Sequence, residues 1–299
     1  MSDKIISRKV ALLESIALVV FGYFAFSVAD LCSKKLQESY SIYQVLGTSS
    51  SIGLIITSLW LFIGYGKRAF FPANLKLHLI RALMVLGTAY FMVRSLQTLP
   101  LADFYGIIFI VPFLVMILAV ALLKETIGWR RWMAAVVGFL GIVVLAGPQF
   151  EHIGEGIVCA LIGAFCAACN IIALRKIGAK GPVPLYGVYA FAAIAGFNLS
   201  MMVATGVFKP YAVEYMPYFL IHGPIVILGI LGTSMGFAKA PEAVVVAPFQ
   251  YTQIIWGVLF GWFFFQALPT ANTWIGLALV IGAGLYSLWR EYRRAHHLD

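Results

Sequence analysis

The amino-acid sequence predicts an all-α polytopic membrane protein with ten transmembrane helices. Composition is the first reason, because 62% of the 299 residues are hydrophobic and only 11% are charged, whereas soluble domains carry about 25% charged residues. The second is the length of the apolar runs. At about twenty residues they match helices that cross a ~30 Å hydrocarbon core rather than the alternating ~10-residue strands of a membrane barrel. The third is the placement of the basic residues, most of which fall in alternate connectors.

Ten apolar runs can be marked along the chain, and short connectors containing Pro or Gly separate them. These two residue types interrupt regular structure and favour turns. No connector is long enough to hold a separate soluble domain. The predicted spans are residues 12–32, 44–64, 76–98, 103–123, 130–147, 154–174, 183–206, 217–238, 243–265 and 271–289.

The basic residues predict how the chain is oriented in the membrane. Arg81 and Arg94 fall inside the third span, and one side of the membrane otherwise receives only Lys34, Lys35 and Lys209. The opposite side receives the remaining basic residues, an excess that is typical of cytoplasmic loops. We therefore expect both termini in the cytoplasm. The lipid bilayer explains the positive charge, so no nucleic-acid partner is expected.

Motifs for nucleotide hydrolysis and for common hydrolases are missing. The chain has no GxxxxGK[ST] phosphate loop, no HExxH and no GxSxG, so ATP hydrolysis is not expected to drive its function. The four cysteines lie in or at the ends of apolar runs, and we interpret them as packing residues. We expect no enzyme activity, no cofactor and no metal site.

The two halves of the chain resemble each other at offsets of about 140–145 residues, which indicates an internal repeat. VLGTAYFMVRSLQTLP at 85–100 aligns with ILGTSMGFAKAPEAVV at 230–245 and places Arg94 opposite Lys239. SVADLCSKK at 27–35 aligns with AACNIIALR at 167–175 and places Asp30 opposite Asn170. Five spans per copy is an odd number, so the two copies have opposite orientations. Inverted repeats of this kind are typical of secondary transporters, whose substrate site lies between the repeats.

Two long segments carry a family resemblance. PLADFYGIIFIVPFLVMILAVALLKETIGWRRWMAAVVGFLGIVVLAGP (100–148) and VVAPFQYTQIIWGVLFGWFFFQALPTANTWIGLALVIGAGLYSLWRE (245–291) resemble the repeats of the EamA family in the drug/metabolite transporter superfamily. The resemblance implies two inverted five-helix repeats (1–148 and 149–299), a central cavity and alternating access. ADLCSK, RALMVLGTAYF and APFQYTQ are similar to segments of bacterial S-adenosylmethionine and riboflavin transporters, which implies an inner-membrane location.

The two copies differ where the fourth and ninth spans end. The first reads Leu123-Lys124-Glu125, whereas the second reads Phe265-Gln266-Ala267. Members of the family usually carry a glutamate at this position in both copies. Because the second copy here lacks it, we expect Glu125 to have a structural capping role rather than a transport role.

Asp30 and Arg94 are charges within apolar runs. Each lies eighteen residues after the predicted start of its span, so the two charges should share a depth in the outer half of the membrane. Charges at lipid depth usually pair with each other or mark a functional site. Three interpretations stay open: a permanent salt bridge, a site that holds the two ends of a zwitterionic substrate, and an Arg94 that extends alone to the interface.

Other polar and aromatic residues are candidates for the wall of a substrate cavity. Tyr90, Arg94 and Gln97 share a helix face with Gly87, which predicts that this face points into the bundle. Amide side chains at lipid depth prefer partners on neighbouring helices, so they either line a cavity or join helices. The substrate-binding hypothesis covers Asp30, Tyr90, Arg94, Gln97, Tyr105, Asn170, Gln250, Tyr251, Gln253 and Trp256.

These patterns together predict a secondary active transporter. The expected substrate is a small polar organic metabolite, an amino acid or a nucleoside-like compound, with a proton as coupling ion through Asp30. An exporter of riboflavin-like or drug molecules with the same fold is the alternative closest to it. A channel and an integral-membrane enzyme are two further alternatives, and a homodimer is an open alternative for the assembly.

Overall fold

A computed structural model of the chain describes residues 2–99, 110–125, 154–178, 181–240 and 246–266, with shorter stretches between 104 and 140 and between 271 and 286. Within these residues every regular element is helical. The main helices are α1 (Ser2–Leu36), α2 (Ile42–Tyr65), α3 (Leu75–Ser95), α4 (Val111–Leu118), α5 (Glu155–Ile177), α6 (Leu185–Thr205), α7 (Met216–Lys239) and α8 (Thr252–Phe265). A π-helical turn, Ala119–Leu123, extends α4, and a 3₁₀ turn, Ala247–Tyr251, precedes α8.

Local sequence signals set the ends of the helices. At the start of α2 the hydroxyl of Ser41 accepts a hydrogen bond from the backbone N–H of Gln44, which satisfies one of the unpaired donors of the first turn. The same helix ends at Gly66, whose φ of 76° is one that side-chain-bearing residues rarely adopt. α4 begins with Pro112 in its first turn, where proline removes no helical hydrogen bond.

Within the part of the chain that the structure describes, six helical segments are long and apolar enough to cross a membrane. They match six of the predicted spans: Val10–Leu36, Ile42–Tyr65, Leu75–Ser95, Glu155–Ile177, Leu185–Thr205 and Val213–Lys239. A shorter apolar helix, Val111–Leu123, falls within the fourth predicted span. α8 falls within the ninth. Spans 130–147 and 271–289 lie largely outside the described residues, so the arrangement of ten helices stays a prediction.

Large apolar side chains cover the outside of the bundle. On α2, for example, Ile55, Leu59 and Ile63 are exposed, Ile63 by 81%. Exposing an apolar surface of this size to water would be unfavourable and would favour association or aggregation. The hydrocarbon of a bilayer is the solvent that this surface fits.

The described helices pack as antiparallel pairs: α1 with α7, α2 with α6, and α3 with α5. Small residues lie where the helices of a pair approach each other. A Cβ atom added at Gly22 of α1 would lie 2.7 Å from the backbone nitrogen of Thr233 on α7. One added at Gly87 of α3 would lie 2.8 Å from the sulfur of Cys166 on α5. Lipid supplies no hydrophobic force between helices, so close contact over small residues is a main source of their association.

Gly22→Ala tests this close contact, with Gly196→Ala as a matched control on α6. The added methyl group at Gly22 meets backbone, so we expect the free energy of unfolding to fall by about 1–3 kcal/mol. Nothing lies within 4 Å of the position that a Cβ would take at Gly196, so the better helix propensity of alanine should raise stability by up to about 1 kcal/mol. Thermal unfolding in detergent measures both. Equal shifts in the two variants would contradict the packing described.

Candidate functional site

A cavity of about 160 Å³ lies between the helices. Among the described residues, its walls come from every main helix except α4, with Phe104 and Ile108 as further lining residues. Most of the lining is apolar, and a small number of polar groups are exposed to the space. A mainly apolar pocket with a few directed polar groups is the usual form of a small-molecule site. The chief polar residues are Asp30, Ser33, Arg81, Asn170, His222, Gln250 and Gln253.

Asp30 carries the negative charge of the cavity wall. The amide of Gln253 on α8 donates a hydrogen bond to its Oδ2 at 3.1 Å. In the 3₁₀ turn that precedes α8, Oε1 of Gln250 accepts a hydrogen bond of 3.2 Å from the hydroxyl of Tyr23 on α1. These two glutamines therefore both line the cavity and join helices, so the two roles open for them in the sequence are compatible.

Ser33 and His222 connect α1 to α7 at the cavity. The hydroxyl of Ser33 lies 2.7 Å from Nε2 of His222, and either atom can donate, depending on the imidazole tautomer. His222 is only 3% exposed, and its Nδ1 has no hydrogen-bond partner. Asn170 on α5 presents a second unpartnered atom to the same space, its side-chain Oδ1. The wall thus contains polar atoms that an incoming ligand could satisfy.

Arg81 is a cavity residue that the site hypothesis did not include. Its side chain is 1% exposed. The guanidinium donates from Nη1 to the backbone carbonyl of Tyr186 at 2.5 Å and from Nη2 to the hydroxyl of Ser234 at 3.0 Å. The sequence places Arg81 inside the third span with Arg94, but only Arg94 is a candidate of the site hypothesis. A signal for it was the polar Thr88 seven residues later, which lies on the same helix face and also lines the cavity.

The predicted pairing of Arg94 with Asp30 is wrong. Nε and Nη2 of Arg94 each lie 2.9 Å from Oε1 of Glu155 in the first turn of α5, and Nη1 donates to Gln97. The error arose because the two residues were expected at the same depth in the membrane. α3 ends at Ser95, so Arg94 belongs to its last turn, whereas Asp30 lies roughly 9 Å inside the end of α1. Arg94 is therefore a partly exposed residue at a helix end and does not line the cavity.

A second ion pair of the same kind lies at the other end of the bundle. The ammonium of Lys239, the last residue of α7, lies 3.2 Å from Oε2 of Glu14 on α1. Lys239 is the residue that the sequence repeat places opposite Arg94, and Glu14 and Glu155 have a similar offset. We call the Arg94–Glu155 and Lys239–Glu14 contacts the two end pairs. Each joins a basic residue at the end of one helix to an acidic residue on its antiparallel partner.

Four other predicted site residues lie outside the cavity lining. Tyr90 stacks on Tyr43 of α2, with ring centroids 6.2 Å apart, and Gln97 is exposed at the end of α3. Trp256 packs edge-on against Phe24 of α1, with ring centroids 4.8 Å apart. Tyr251 is buried and follows Gln250 in the chain. Tyr105 lies outside the described residues.

Glu125 and the cysteines of α5 are polar features outside the cavity lining. Glu125 forms an ion pair with Arg175 across 3.6 Å, and both side chains are mostly buried, so the carboxylate connects the end of α4 to α5. Cys166 and Cys169, spaced as CxxC on α5, are free thiols. Among the residues that the structure describes, no group of three or more His, Cys, Asp or Glu side chains is placed to hold a metal ion.

Comparisons with known proteins find a transporter family model and transporters of similar sequence. Residues 13–147 match the model of the EamA-like transporter family. An S-adenosylmethionine uptake transporter of Rickettsia prowazekii is 24% identical over 289 residues, which cover 93% of this chain and 94% of the relative. A riboflavin transporter of Rhizobium johnstonii is 26% identical over 218 residues, which cover 73% and 71% of the two chains.

A protein of known crystal structure shares the fold. It superimposes with a TM-score of 0.73 and covers 96% of this chain and 99% of its own, at 17% sequence identity. The relatives are named as transporters, and the described helices are those of a multi-pass membrane protein. The resemblance seen in the sequence is confirmed, because residues 13–147 match the model of the EamA-like transporter family and the relatives are named as transporters.

Proposed function

We propose that this protein is a secondary active transporter that moves a small polar organic metabolite across the bacterial inner membrane by alternating access. The observation that carries the proposal is the central cavity, whose mainly apolar wall includes the carboxylate of Asp30 and the guanidinium of Arg81. Charged groups at lipid depth are expensive and usually mark a transport pathway.

The helix pairing supports an inverted repeat as the framework for alternating access. A pseudo-two-fold axis that exchanges α1 with α5, α2 with α6 and α3 with α7 converts the α1–α7 pair into the α5–α3 pair. It leaves α2 paired with α6. These are the pairs that the described helices form. We propose two five-helix repeats, residues 1–148 and 149–299, with both termini in the cytoplasm as the basic loops predict.

The two end pairs offer a means of closing the cavity on either side. Arg94–Glu155 lies at the end of the bundle where α1 finishes, and Lys239–Glu14 lies towards the end where α1 begins. We call these the finish side and the start side. Opening the cavity to one side requires helices to separate there, and the ion pair on that side opposes the separation. Each end pair would then break in a different half of the transport cycle.

The relatives suggest two kinds of substrate. One is S-adenosylmethionine, because a relative aligned over nearly the whole chain is named as a transporter of this compound. It carries both a carboxylate and positive charge, which suits a cavity with charges of both signs. Riboflavin is an uncharged ring compound, and the aromatic wall residues Tyr23, Phe26 and Phe104 favour it as the second candidate. We propose a proton as coupling ion, carried by Asp30.

Uptake into proteoliposomes tests the transporter and its charged site. We expect labelled S-adenosylmethionine or riboflavin to enter faster than into empty vesicles and a pH gradient to change the rate. Asp30→Asn should lower uptake by about tenfold or more, the effect of losing one charge-assisted hydrogen bond. Glu214→Gln, at an exposed loop carboxylate, is the control and should behave as wild type. If neither metabolite enters faster than into empty vesicles, the substrate proposal is wrong.

Side-specific labelling tests the end pairs. A cysteine at Ser50 of the cavity wall, in a variant without the four native thiols, is exposed to a membrane-impermeant thiol reagent from either side. Arg94→Gln should raise labelling from the finish side and Lys239→Gln from the start side, each by about two- to fivefold, because exposed ion pairs contribute up to about 1 kcal/mol.

Two further variants control this experiment. Glu38→Gln removes the Lys35–Glu38 pair, which lies at the end of α1 and joins no two helices, and it should leave labelling unchanged. Exchanging the charges of one end pair, with Glu14→Lys and Lys239→Glu together, should restore the wild-type pattern. A rise on the same side in both single variants would contradict the assignment.

A further inference from the structure

Arg81 is a buried cation whose observed partners are all neutral. Its guanidinium contacts the Tyr186 carbonyl, the Ser234 hydroxyl and the face of the Tyr186 ring, 5.6 Å from the ring centroid. Its Nε–H has no hydrogen-bond partner. Among the described residues, no carboxylate forms an ion pair with it.

Such an arrangement is unfavourable in the empty protein. Arginine keeps its charge in proteins, and burying a charge without a countercharge is among the most destabilising changes in an interior. Two neutral acceptors provide hydrogen bonds but no opposite charge. Joining α3 to α6 and α7 by hydrogen bonds would not require a cation, because a neutral amide could donate to the same carbonyl and hydroxyl.

We infer that Arg81 binds a carboxylate group of the transported molecule and so determines specificity for anionic or zwitterionic substrates. Arg81 is among the residues that line the cavity, so a ligand bound there lies next to its side chain. The planar guanidinium matches a carboxylate in geometry as well as in charge. This inference rests on the proposed function, since it assigns a substrate class to the same cavity.

The position of Arg81 also limits the orientation of the ligand. α1 and α7 are antiparallel, with Gly22 against Thr233 and Val19 against Gly236. Ser234, the partner of Arg81, is thus level with about residue 21 of α1. Asp30 lies roughly nine residues further along, about 13 Å at 1.5 Å per residue. Arg81 therefore lies nearer the start side and Asp30 nearer the finish side, so a ligand whose carboxylate binds Arg81 has that carboxylate towards the start side.

Binding to the purified full-length protein tests this inference. The probes are S-adenosylmethionine and its decarboxylated analogue, together with methionine and methioninamide. Within each pair the second compound lacks the carboxylate. Dissociation constants are measured for wild type, Arg81→Gln, Arg81→Lys and the exposed control Arg68→Gln. Wild type and Arg68→Gln should prefer the carboxylate compound by roughly tenfold or more, as expected for one charge-assisted hydrogen bond.

The variants should separate recognition from structure. Arg81→Gln should bind the two members of a pair about equally and unfold without ligand at a temperature equal to or above that of wild type, because a buried charge is gone. Arg81→Lys keeps the charge without the planar fork, so it should keep part of the preference. A purely structural Arg81 would instead lower the unfolding temperature and weaken both members of a pair alike, and that result would overturn the inference.

The results also separate this inference from the proposed function. If wild type transports riboflavin and no probe pair shows a preference for the carboxylate, the carboxylate site is wrong and the transporter stands. If no metabolite is transported but the carboxylate preference is present and disappears in Arg81→Gln, the site stands and the transport proposal fails.

Discussion

The close antiparallel contact between α1 and α7 is the interaction on which the cavity depends. Lipid does not drive apolar helices together, so they associate through tight packing, and glycines on both helices make that packing close. The contact fixes the register of the two helices, which brings Ser33 against His222. It also sets the depth of Ser234, the hydroxyl that holds Arg81 in the wall of the cavity.

A comparable contact joins α3 and α5, and the two contacts share details. Gly87 faces Cys166 just as Gly232 faces Gly22, and each contact includes one end pair. The carboxyl ends of the fourth helix and of α8 also resemble each other, because Lys124 and Gln266 both adopt a left-handed conformation there, with φ values of 56° and 53°. The similarity between the two halves thus extends from side-chain contacts to single backbone angles.

The sequence predicted what bilayer thickness and polarity determine. Six predicted spans were correct because the thickness of the hydrocarbon core sets the length of a transmembrane helix. Asp30, Asn170, Gln250 and Gln253 do line the cavity, since polar groups at that depth are turned away from lipid. Arg94 was placed too deep in the membrane because the predicted third span, 76–98, extends beyond Ser95, where the helix ends. Arg81 was missed because its partners, Tyr186 and Ser234, are 105 and 153 residues away in the chain.

The two end pairs are alike in position but unequal in chemistry. Arg94 directs two nitrogen atoms at one oxygen of Glu155, each at 2.9 Å, whereas Lys239 makes a single contact of 3.2 Å with Glu14. A difference of about 1 kcal/mol between them would change the ratio of two conformations about fivefold. In the proposed transport cycle, the empty protein would then rest with its cavity facing the start side, which is the cytoplasm if the basic loops set the orientation. The resting direction of such a protein can therefore follow from one arginine standing where its counterpart is a lysine.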